Sequence, residues 1–246
     1  MQPGPILLVA FLPALALAQI QPRIPLLPVG DGYRVSAAIG DIDGDGTLDL
    51  VIGTNGAFAR RRGRGGAGED FRDTETLPCT VGPSCESAGQ PCLADVDGDG
   101  DLDLVAIDTP LGSTGRFAWF ANDGRGDFAA AAALLADDGT ALPCDGQSSA
   151  IALSDWNDDG RLDLLVATTE VHVHSGTARG FAKTGQALGV RTSSGMAVAD
   201  WTGDGKADLL LIENGHVVVR ERVGAALGEP RPITAVHGDA GQARLA

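Results

Sequence analysis

The chain has 246 residues, of which 43% are hydrophobic and only 4% are aromatic. Its formal net charge of −15 argues against binding to nucleic acid or to an anionic membrane surface, because both are negatively charged. A chain of this length can bury a sizeable core, and its 35 glycines and regularly spaced turn residues predict an all-β fold.

The N-terminal segment, residues 1–18, predicts a signal peptide. Its apolar core, residues 6–17, is too short to span a bilayer and contains Pro13. An A-x-A cleavage pattern ends at Ala18, so we expect the mature chain to begin at Gln19. The protein is therefore predicted to be secreted, to an extracellular or periplasmic location, and no other stretch predicts a membrane span.

An acidic motif occurs four times in the chain, at intervals of 45 to 60 residues. The copies are "DIDGDGTLD" at Asp41, "DVDGDGDLD" at Asp95, "DWNDDGRLD" at Asp155 and "DWTGDGKAD" at Asp200. Self-similarity at this period predicts a repeat architecture. Clustered carboxylates supply hard oxygen ligands, which favour calcium over zinc or copper. Each copy therefore predicts a calcium-binding loop.

The segments around these loops exclude an EF-hand. An EF-hand has a bidentate Glu at loop position twelve. The residues at that position here cannot bind a cation through their side chains: Ile52, Ala106, Val166 and Leu211. The stretches on both sides of each loop, such as "VSAAIG" and "LDLVIGT", are short apolar runs that predict buried strands. Each loop is therefore expected to join two strands.

Further strands complete each repeat. Third strands are predicted at 116–122, 171–175 and 216–221, and fourth strands at "DFAAAAALL" and "FAKTGQAL". In the first repeat, the basic stretch "ARRRGRGGAGEDFRD" is predicted to replace a clean third strand. Four strands per repeat predict a β-propeller with four blades present, in an incomplete ring. The predicted domain is 19–246, with blades at roughly 34–77, 90–135, 149–188 and 195–236.

The repeats resemble a known family. "YRVSAAIGDIDGDGTLDLVIGT" resembles the FG-GAP repeat, and "NDGRGDF" is similar to the glycine-rich turn of VCBS-type repeats. These repeats form the calcium-binding β-propellers of integrin α-chains and of many secreted bacterial proteins. The resemblance covers roughly 24–246 and implies up to four structural Ca²⁺ ions. In this family, side chains at loop positions one, three, five and nine and the carbonyl at position seven bind the metal.

The resemblance implies a ligand set for each loop. The side-chain ligands would be Asp41, Asp43, Asp45 and Asp49 in loop one, Asp95, Asp97, Asp99 and Asp103 in loop two, Asp155, Asn157, Asp159 and Asp163 in loop three, and Asp200, Thr202, Asp204 and Asp208 in loop four. The carbonyl ligands would be those of Thr47, Asp101, Arg161 and Lys206. Because Thr202 is neutral with a short reach and Lys206 is cationic, we expect loop four to bind calcium most weakly.

The cysteines fit an exported protein. Cys79, Cys85, Cys92 and Cys144 allow three pairings, among which the sequence does not choose. We favour Cys79–Cys85 and Cys92–Cys144. A zinc site is disfavoured because the spacings contain no C-x₂-C pair and no histidine is close in sequence.

Several other motifs have ordinary structural interpretations. Arg125-Gly126-Asp127 falls in a turn that requires glycines, so we interpret it as a turn rather than an integrin ligand. The arginines at 60–62 and Arg64 are interpreted as a solvated insertion. His172 and His174 are interpreted as ordinary strand positions. The tryptophans at loop position two, Trp156 and Trp201, are expected to pack between blades.

The predicted function is non-catalytic extracellular recognition or adhesion, with a protein or glycan as partner. No G-x-S-x-G or H-E-x-x-H motif is present, so the protein is predicted not to be an enzyme. The alternatives are the propeller domain of a secreted hydrolase or lyase, and a structural surface scaffold. The long loops at 78–92 and 136–149 are expected to form the recognition face. The C-terminal "VHGDAGQARLA" resembles the approach to another loop, so we expect further blades in a longer chain.

Overall fold

A computed structural model describes residues 36–54, 57–63, 74–78, 85–110, 115–142, 144, 150–192, 195–224 and 226–235. All regular secondary structure in these ranges is β-strand. The predicted signal peptide and the C-terminal approach to a further loop lie outside the described residues. The described residues contain no helix that could serve as a membrane span.

The strands form four four-stranded antiparallel sheets, which are the blades of a β-propeller fold. Blade one contains β1 (Ser36–Gly40), β2 (Asp49–Thr54), β3 (Ala57–Arg61) and β4 (Thr74–Pro78), and blade two contains β5 (Cys85–Ala94), β6 (Asp103–Pro110), β7 (Arg116–Phe120) and β8 (Ala132–Ala133). Blade three contains β9 (Ala150–Ser154), β10 (Asp163–Ala167), β11 (Val171–His174) and β14 (Gln186–Ala187), with a hairpin of β12 (Gly176–Thr177) and β13 (Gly180–Phe181). Blade four contains β15 (Met196–Ala199), β16 (Asp208–Glu213), β17 (His216–Arg220) and β20 (Arg231–Ala235), with a hairpin of β18 (Arg222–Val223) and β19 (Ala226–Leu227). The predicted all-β propeller fold with four blades is confirmed.

The second strand of each blade begins with at least three consecutive buried residues. β10 is buried along its whole length, and it pairs with β9 on one side and β11 on the other. A strand covered on both faces needs an unbroken apolar sequence, which is why "LDLLVAT" predicted a buried strand. The third strands predicted in the later repeats are confirmed as β7, β11 and β17.

The prediction for the first repeat was wrong. The first residues of the basic stretch continue the blade, because β3 pairs with β2 from Leu50 opposite Arg61 to Thr54 opposite Ala57. Residues 64–73 of this stretch lie outside the described residues. Arg60 and Arg61 are only 3% and 8% exposed, so they do not belong to a solvated loop. Their long aliphatic stems let a strand position remain apolar near the backbone, and Arg60 donates from Nη2 to the Asp127 carboxylate at 3.3 Å.

The chain divides into two compact units, residues 1–146 and 147–246. The first contains blades one and two, whose core includes Val51, Phe58 and Phe120. The rings of Phe58 and Phe120 meet edge to face with centroids 5.9 Å apart. The second unit contains blades three and four, whose core includes Trp156 and Leu209. Within each unit, the apolar strands of two neighbouring blades therefore share one core.

The predicted Cys92–Cys144 disulfide is not confirmed. Cys92 is half-buried and Cys144 is buried, and no disulfide joins these two described residues. Cys79 and the side chain of Cys85 lie outside the described part of the chain.

Candidate metal-binding loops

Each acidic loop joins the first and second strands of its blade, and its first aspartate organises the turn. The Asp41 carboxylate accepts hydrogen bonds from the N–H groups of Asp45 at 3.1 Å and Gly46 at 2.9 Å. In loop three, Asp155 accepts the equivalent bonds from Asp159 at 3.0 Å and Gly160 at 2.8 Å. The turn needs glycine after position five, because the φ of that residue is positive, +82° at Gly46 and +84° at Gly160.

Two loops bring three carboxylates together. One oxygen each of Asp41, Asp43 and Asp49 lie within 4.8 Å of one another, as do oxygens of Asp95, Asp97 and Asp99. Oxygens at this separation can share one Ca²⁺, whose ligands lie 2.3–2.6 Å from the ion. The donor set is also suitable, because it consists only of hard oxygen ligands.

Among the described residues, loops three and four do not bring three carboxylates equally close. In loop three, the side-chain oxygen of Asn157 accepts the N–H of Asp159 at 2.9 Å, and the Asp159 carboxylate is 3.3 Å from the Arg161 guanidinium. In loop four, Asp200 accepts three loop N–H groups and Thr202 contributes no charge. The structure therefore separates loops one and two from loops three and four.

Position seven has the same local geometry in every loop. Its N–H donates to the carboxylate at position five, at 2.8 Å for Thr47, 3.2 Å for Asp101, 2.9 Å for Arg161 and 2.9 Å for Lys206. The residues that the resemblance implied as carbonyl ligands thus all occupy equivalent backbone positions.

Burial and neighbouring negative charges raise the pKa of two aspartates in the loops. Burial raises the pKa of Asp49, and the neighbouring charges of Asp43 and Asp45 raise it further. Burial and the charges of Asp99 and Asp103 raise the pKa of Asp101 to about 6. Each of these effects disfavours a set of ionised carboxylates, and a bound cation would reverse it.

Two arginines contact aspartates of the acidic loops, and the sequence did not predict these contacts. Arg62 places Nη1 3.4 Å from the Asp43 carboxylate and Nη2 3.3 Å from that of Asp127. In the second unit, Arg222 donates to both oxygens of Asp158 at 2.8 and 2.9 Å, and its guanidinium lies 5.7 Å from the centre of the Trp156 ring. These contacts connect the loop of one blade to the blade that follows it.

The Arg-Gly-Asp sequence lies in a turn, as predicted, and its aspartate is engaged within the protein. The Asp127 carboxylate accepts hydrogen bonds from Arg60 and Arg62, both at 3.3 Å. Gly126 has a φ of +80°, a conformation that favours glycine. The motif thus has a structural role between blades one and two.

The two loop tryptophans differ in their environment. Trp156 is 7% exposed and packs in the core, as predicted. Trp201, at the equivalent position of loop four, is 41% exposed, and the described residues include no blade after blade four, so the packing prediction is not tested for this residue. Both tryptophans occupy loop position two, so the sequence gives them the same signal, and they differ in the segment that covers them.

His174 is an ordinary buried strand residue with a consequence for stability. It is 8% exposed, and its Nδ1 lies 2.9 Å from the carbonyl oxygen of Ala182, which can only accept, so Nδ1 carries the proton. Burial lowers the pKa of His174, and the nearby His172 lowers it further. The neutral imidazole is therefore the form that the fold accommodates.

We expect His174 to make the protein less stable as the pH is lowered. Since its folded-state pKa lies below the unfolded value of about 6.5, the unfolded chain binds more protons, and the free energy of unfolding decreases as pH falls from about 6.5. His174→Asn, whose amide can replace the Nδ1 donor, should remove this part of the decrease in urea unfolding measured from pH 7.5 to 5. The exposed His216 provides a control in His216→Asn. An unchanged pH slope in His174→Asn would contradict the prediction.

The sequence matches the family model of the FG-GAP-like repeat three times, over residues 41–106, 95–166 and 155–211. Each match runs from the start of one acidic loop, past the next loop, and ends within the strand directly after it: β6, β10 or β16. No curated protein sequence matches the chain significantly.

Two solved structures are similar to this chain. A lectin of Agrocybe aegerita, described for specific recognition of non-reducing terminal N-acetylglucosamine, aligns with a TM-score of 0.51 and 20% identity over 81% of this chain and 52% of its own. The V. cholerae biofilm matrix protein Bap1 aligns with a TM-score of 0.36 and 19% identity over 79% of this chain and 30% of its own. The chain thus spans about half the length of the lectin. At this identity, the likeness to the lectin shows a shared fold.

Proposed function

Because the chain belongs to the family of FG-GAP-like repeat proteins, we propose that it is a secreted calcium-binding β-propeller that recognises a glycan or protein outside the cell without catalysing a reaction. Calcium in this proposal is structural. When bound, it would neutralise the carboxylates that loops one and two bring within 4.8 Å, and would bring the net charge from −15 to about −7 if all four loops were occupied.

The convergent carboxylates support calcium at loops one and two most strongly. Asp41, Asp43 and Asp49 in loop one would hold the ion, as would Asp95, Asp97 and Asp99 in loop two. Loops three and four offer fewer charges, and the cationic side chains of Arg161 and Lys206 belong to those loops. Export would supply the millimolar calcium that weak extracellular sites need.

The exposed indole of Trp201, in the last blade that the structure describes, is the observation that carries the proposal of recognition. It is 41% exposed, whereas Ile42 and Trp156 at the equivalent loop position are 1% and 7% exposed. The backbone of Trp201 is held, because its N–H donates to the buried Asp208 carboxylate at 3.0 Å. The N–H of Arg222 donates to the same carboxylate, and the next residue, Val223, is 67% exposed.

A fixed, exposed tryptophan with polar neighbours is suited to recognition. Its ring offers apolar area at low entropic cost, while the side chain of Lys206 in the same loop can donate hydrogen bonds to hydroxyl groups. A glycan is the partner class to test first, since an acidic protein disfavours anionic partners and the lectin with a similar fold recognises a sugar. Of the loops at 78–92 and 136–149, where recognition was expected from sequence, residues 85–92 belong to β5, and residues 79–84, 143 and 145–149 lie outside the described residues.

A glycan array probed in calcium, with and without Trp201→Ala, tests this function. We expect binding to neutral glycans by the native protein and at least a tenfold loss in Trp201→Ala, the scale of a buried aromatic anchor. Leu135→Ala is the matched control, because Leu135 is an apolar residue of the other unit with a comparable 45% exposure. It should bind as the native protein does.

Two results would contradict the proposal. Absence of binding to every glycan and to extracellular protein panels would favour a scaffold. Turnover in a parallel hydrolase and lyase screen would favour the enzyme alternative.

A further inference from the structure

The aspartate at position nine of each loop is buried, unlike the other acidic loop residues. Asp49, Asp103, Asp163 and Asp208 are 1%, 0%, 0% and 1% exposed. Each begins the second strand of its blade. A carboxylate at such a position needs partners for both oxygens, because an ionised group without them is costly to bury.

One oxygen of each carboxylate binds the start of its own loop. The N–H donors come from loop position two in every blade and also from position three in blades three and four: Ile42 at 3.0 Å, Val96 at 3.1 Å, Trp156 at 2.9 Å with Asn157 at 3.1 Å, and Trp201 at 3.0 Å with Thr202 at 3.0 Å. These bonds close the loop at its base.

The other oxygen binds a distant segment. Its donor is the N–H of the residue two places after the end of the third strand: Gly63 at 2.7 Å, Asn122 at 2.8 Å, Gly176 at 2.7 Å and Arg222 at 3.0 Å. The same offset from β3, β7, β11 and β17 occurs in all four blades. Thirteen to nineteen residues separate each carboxylate from this donor.

We propose that the position-nine aspartate is a clamp, which joins the loop, the second strand and the exit of the third strand whether or not a cation is bound. The aspartate positions the loop through its hydrogen bonds. The statement that this loop is a calcium site rests on the proposed function, but the clamp itself does not. The bonds are charge-assisted, and loss of the carboxylate would leave buried N–H groups without partners.

The geometry separates this role from that of a metal ligand. All four position-nine carboxylates make both sets of hydrogen bonds, but among the described residues only Asp49 also belongs to a convergent carboxylate cluster. The cluster of loop two consists of Asp95, Asp97 and Asp99, without Asp103. The hydrogen-bonding role is therefore common to four blades, whereas convergence of three carboxylates is found in loops one and two among the described residues.

Thermal melts in EGTA test the clamp, using Asp163→Asn with Asp159→Asn as the matched control in the same loop. An asparagine at 163 directs its amide N–H groups at one set of N–H donors, whereas position 159 is exposed. We expect Asp163→Asn to lower Tm by about 5 °C or more in EGTA, and Asp159→Asn to change it by less than about 2 °C. Equal shifts in EGTA would overturn the proposal.

A measurement on the native protein covers the case in which Asp163→Asn does not fold. Hydrogen exchange in EGTA should find the amides of Gly63, Asn122, Gly176 and Arg222 protected. Exchange as fast as that of exposed loop amides, or a native chain unfolded in EGTA, would overturn the proposal.

The outcomes also distinguish the clamp from the calcium proposal. If Asp163→Asn lowers Tm only in calcium, the residue is a ligand, the clamp is wrong and calcium binding stands. If the native Tm is the same in calcium and EGTA, calcium binding fails, and the EGTA melts of Asp163→Asn still decide the clamp.

Discussion

Removal of calcium is expected to lower the midpoint of thermal unfolding by about 10–20 °C without unfolding the protein at room temperature. At about 1 mM Ca²⁺ and a Kd of roughly 10 µM, each occupied site adds about 2.7 kcal/mol to the free energy of unfolding. The two convergent clusters, in loops one and two, would then contribute about 5 kcal/mol. For a domain of this size, 1 kcal/mol shifts Tm by about 2–4 °C.

Melts in calcium, in EGTA and after calcium is restored measure this effect. The double variant Asp43→Asn/Asp97→Asn removes one carboxylate from each cluster and should melt at nearly the same temperature in calcium and EGTA. Asp137→Asn is the control, since Asp137 is an exposed aspartate outside the loops. An unchanged native midpoint on addition of EGTA would refute structural calcium.

Gly176→Ala is expected to lower the free energy of unfolding by about 3 kcal/mol, the upper part of the range for overpacking. A β-carbon built at Gly176 would overlap the carbonyl oxygen of Leu162 and lie 3.1 Å from the Arg161 β-carbon. A backbone oxygen cannot rotate aside as a flexible side chain can. The displaced backbone would also lose the bond from the Gly176 N–H to Asp163, which is 2.7 Å long.

Gly228→Ala is the matched control for urea unfolding of this variant. Its β-carbon would lie 3.4 Å from the carbonyl oxygen of Glu221, an ordinary contact, so its stability should change by less than about 1 kcal/mol. If Gly176→Ala were no less stable than Gly228→Ala, the close approach of the two backbone segments would not be needed for the fold.

In blade two, the position equivalent to Gly176 is occupied by an asparagine. Asn122, the equivalent of Gly176 in blade two, donates its Nδ2 to the carbonyl oxygens of Leu102 at 3.0 Å and Ile42 at 2.8 Å. Leu102 and Leu162 occupy the same position in their repeats. In blade three, the Leu162 carbonyl oxygen would exclude a methyl group at Gly176, whereas in blade two the Leu102 carbonyl oxygen accepts a hydrogen bond from Asn122. Ile42 belongs to the preceding blade, which makes Asn122 a link between blades one and two.

Much of the fold could be predicted from the sequence because its signals are local. Within the acidic loops, hydrogen bonds join residues two to five apart, such as Gly46 to Asp41 and Thr47 to Asp45, and the loop residues themselves encode them. The strands on either side are apolar because they are buried on both faces, which the sequence records directly. Loop position, strand order and blade type follow from these two patterns.

The candidate sites were only partly predictable, because contacts between distant segments decide their environment. The clamp of Asp163 depends on Gly176, and nothing in the loop sequence indicates that partner. Arg60 and Arg61 lie in a sequence typical of a solvated loop, yet pairing of β3 with β2 buries them. Trp156 and Trp201 occupy the same loop position, but only Trp156 lies beneath the guanidinium of Arg222.

The all-β repeat fold, the positions of the four acidic loops and the oxygen chemistry of their side chains all follow from local patterns of residues. The tertiary structure decided which loops bring three carboxylates together, which tryptophan is exposed and which arginines are buried. The reason is physical: turns and strands depend on hydrogen bonds and apolar patterns within a few residues, whereas burial and electrostatic environment depend on which distant segment of the chain covers a residue.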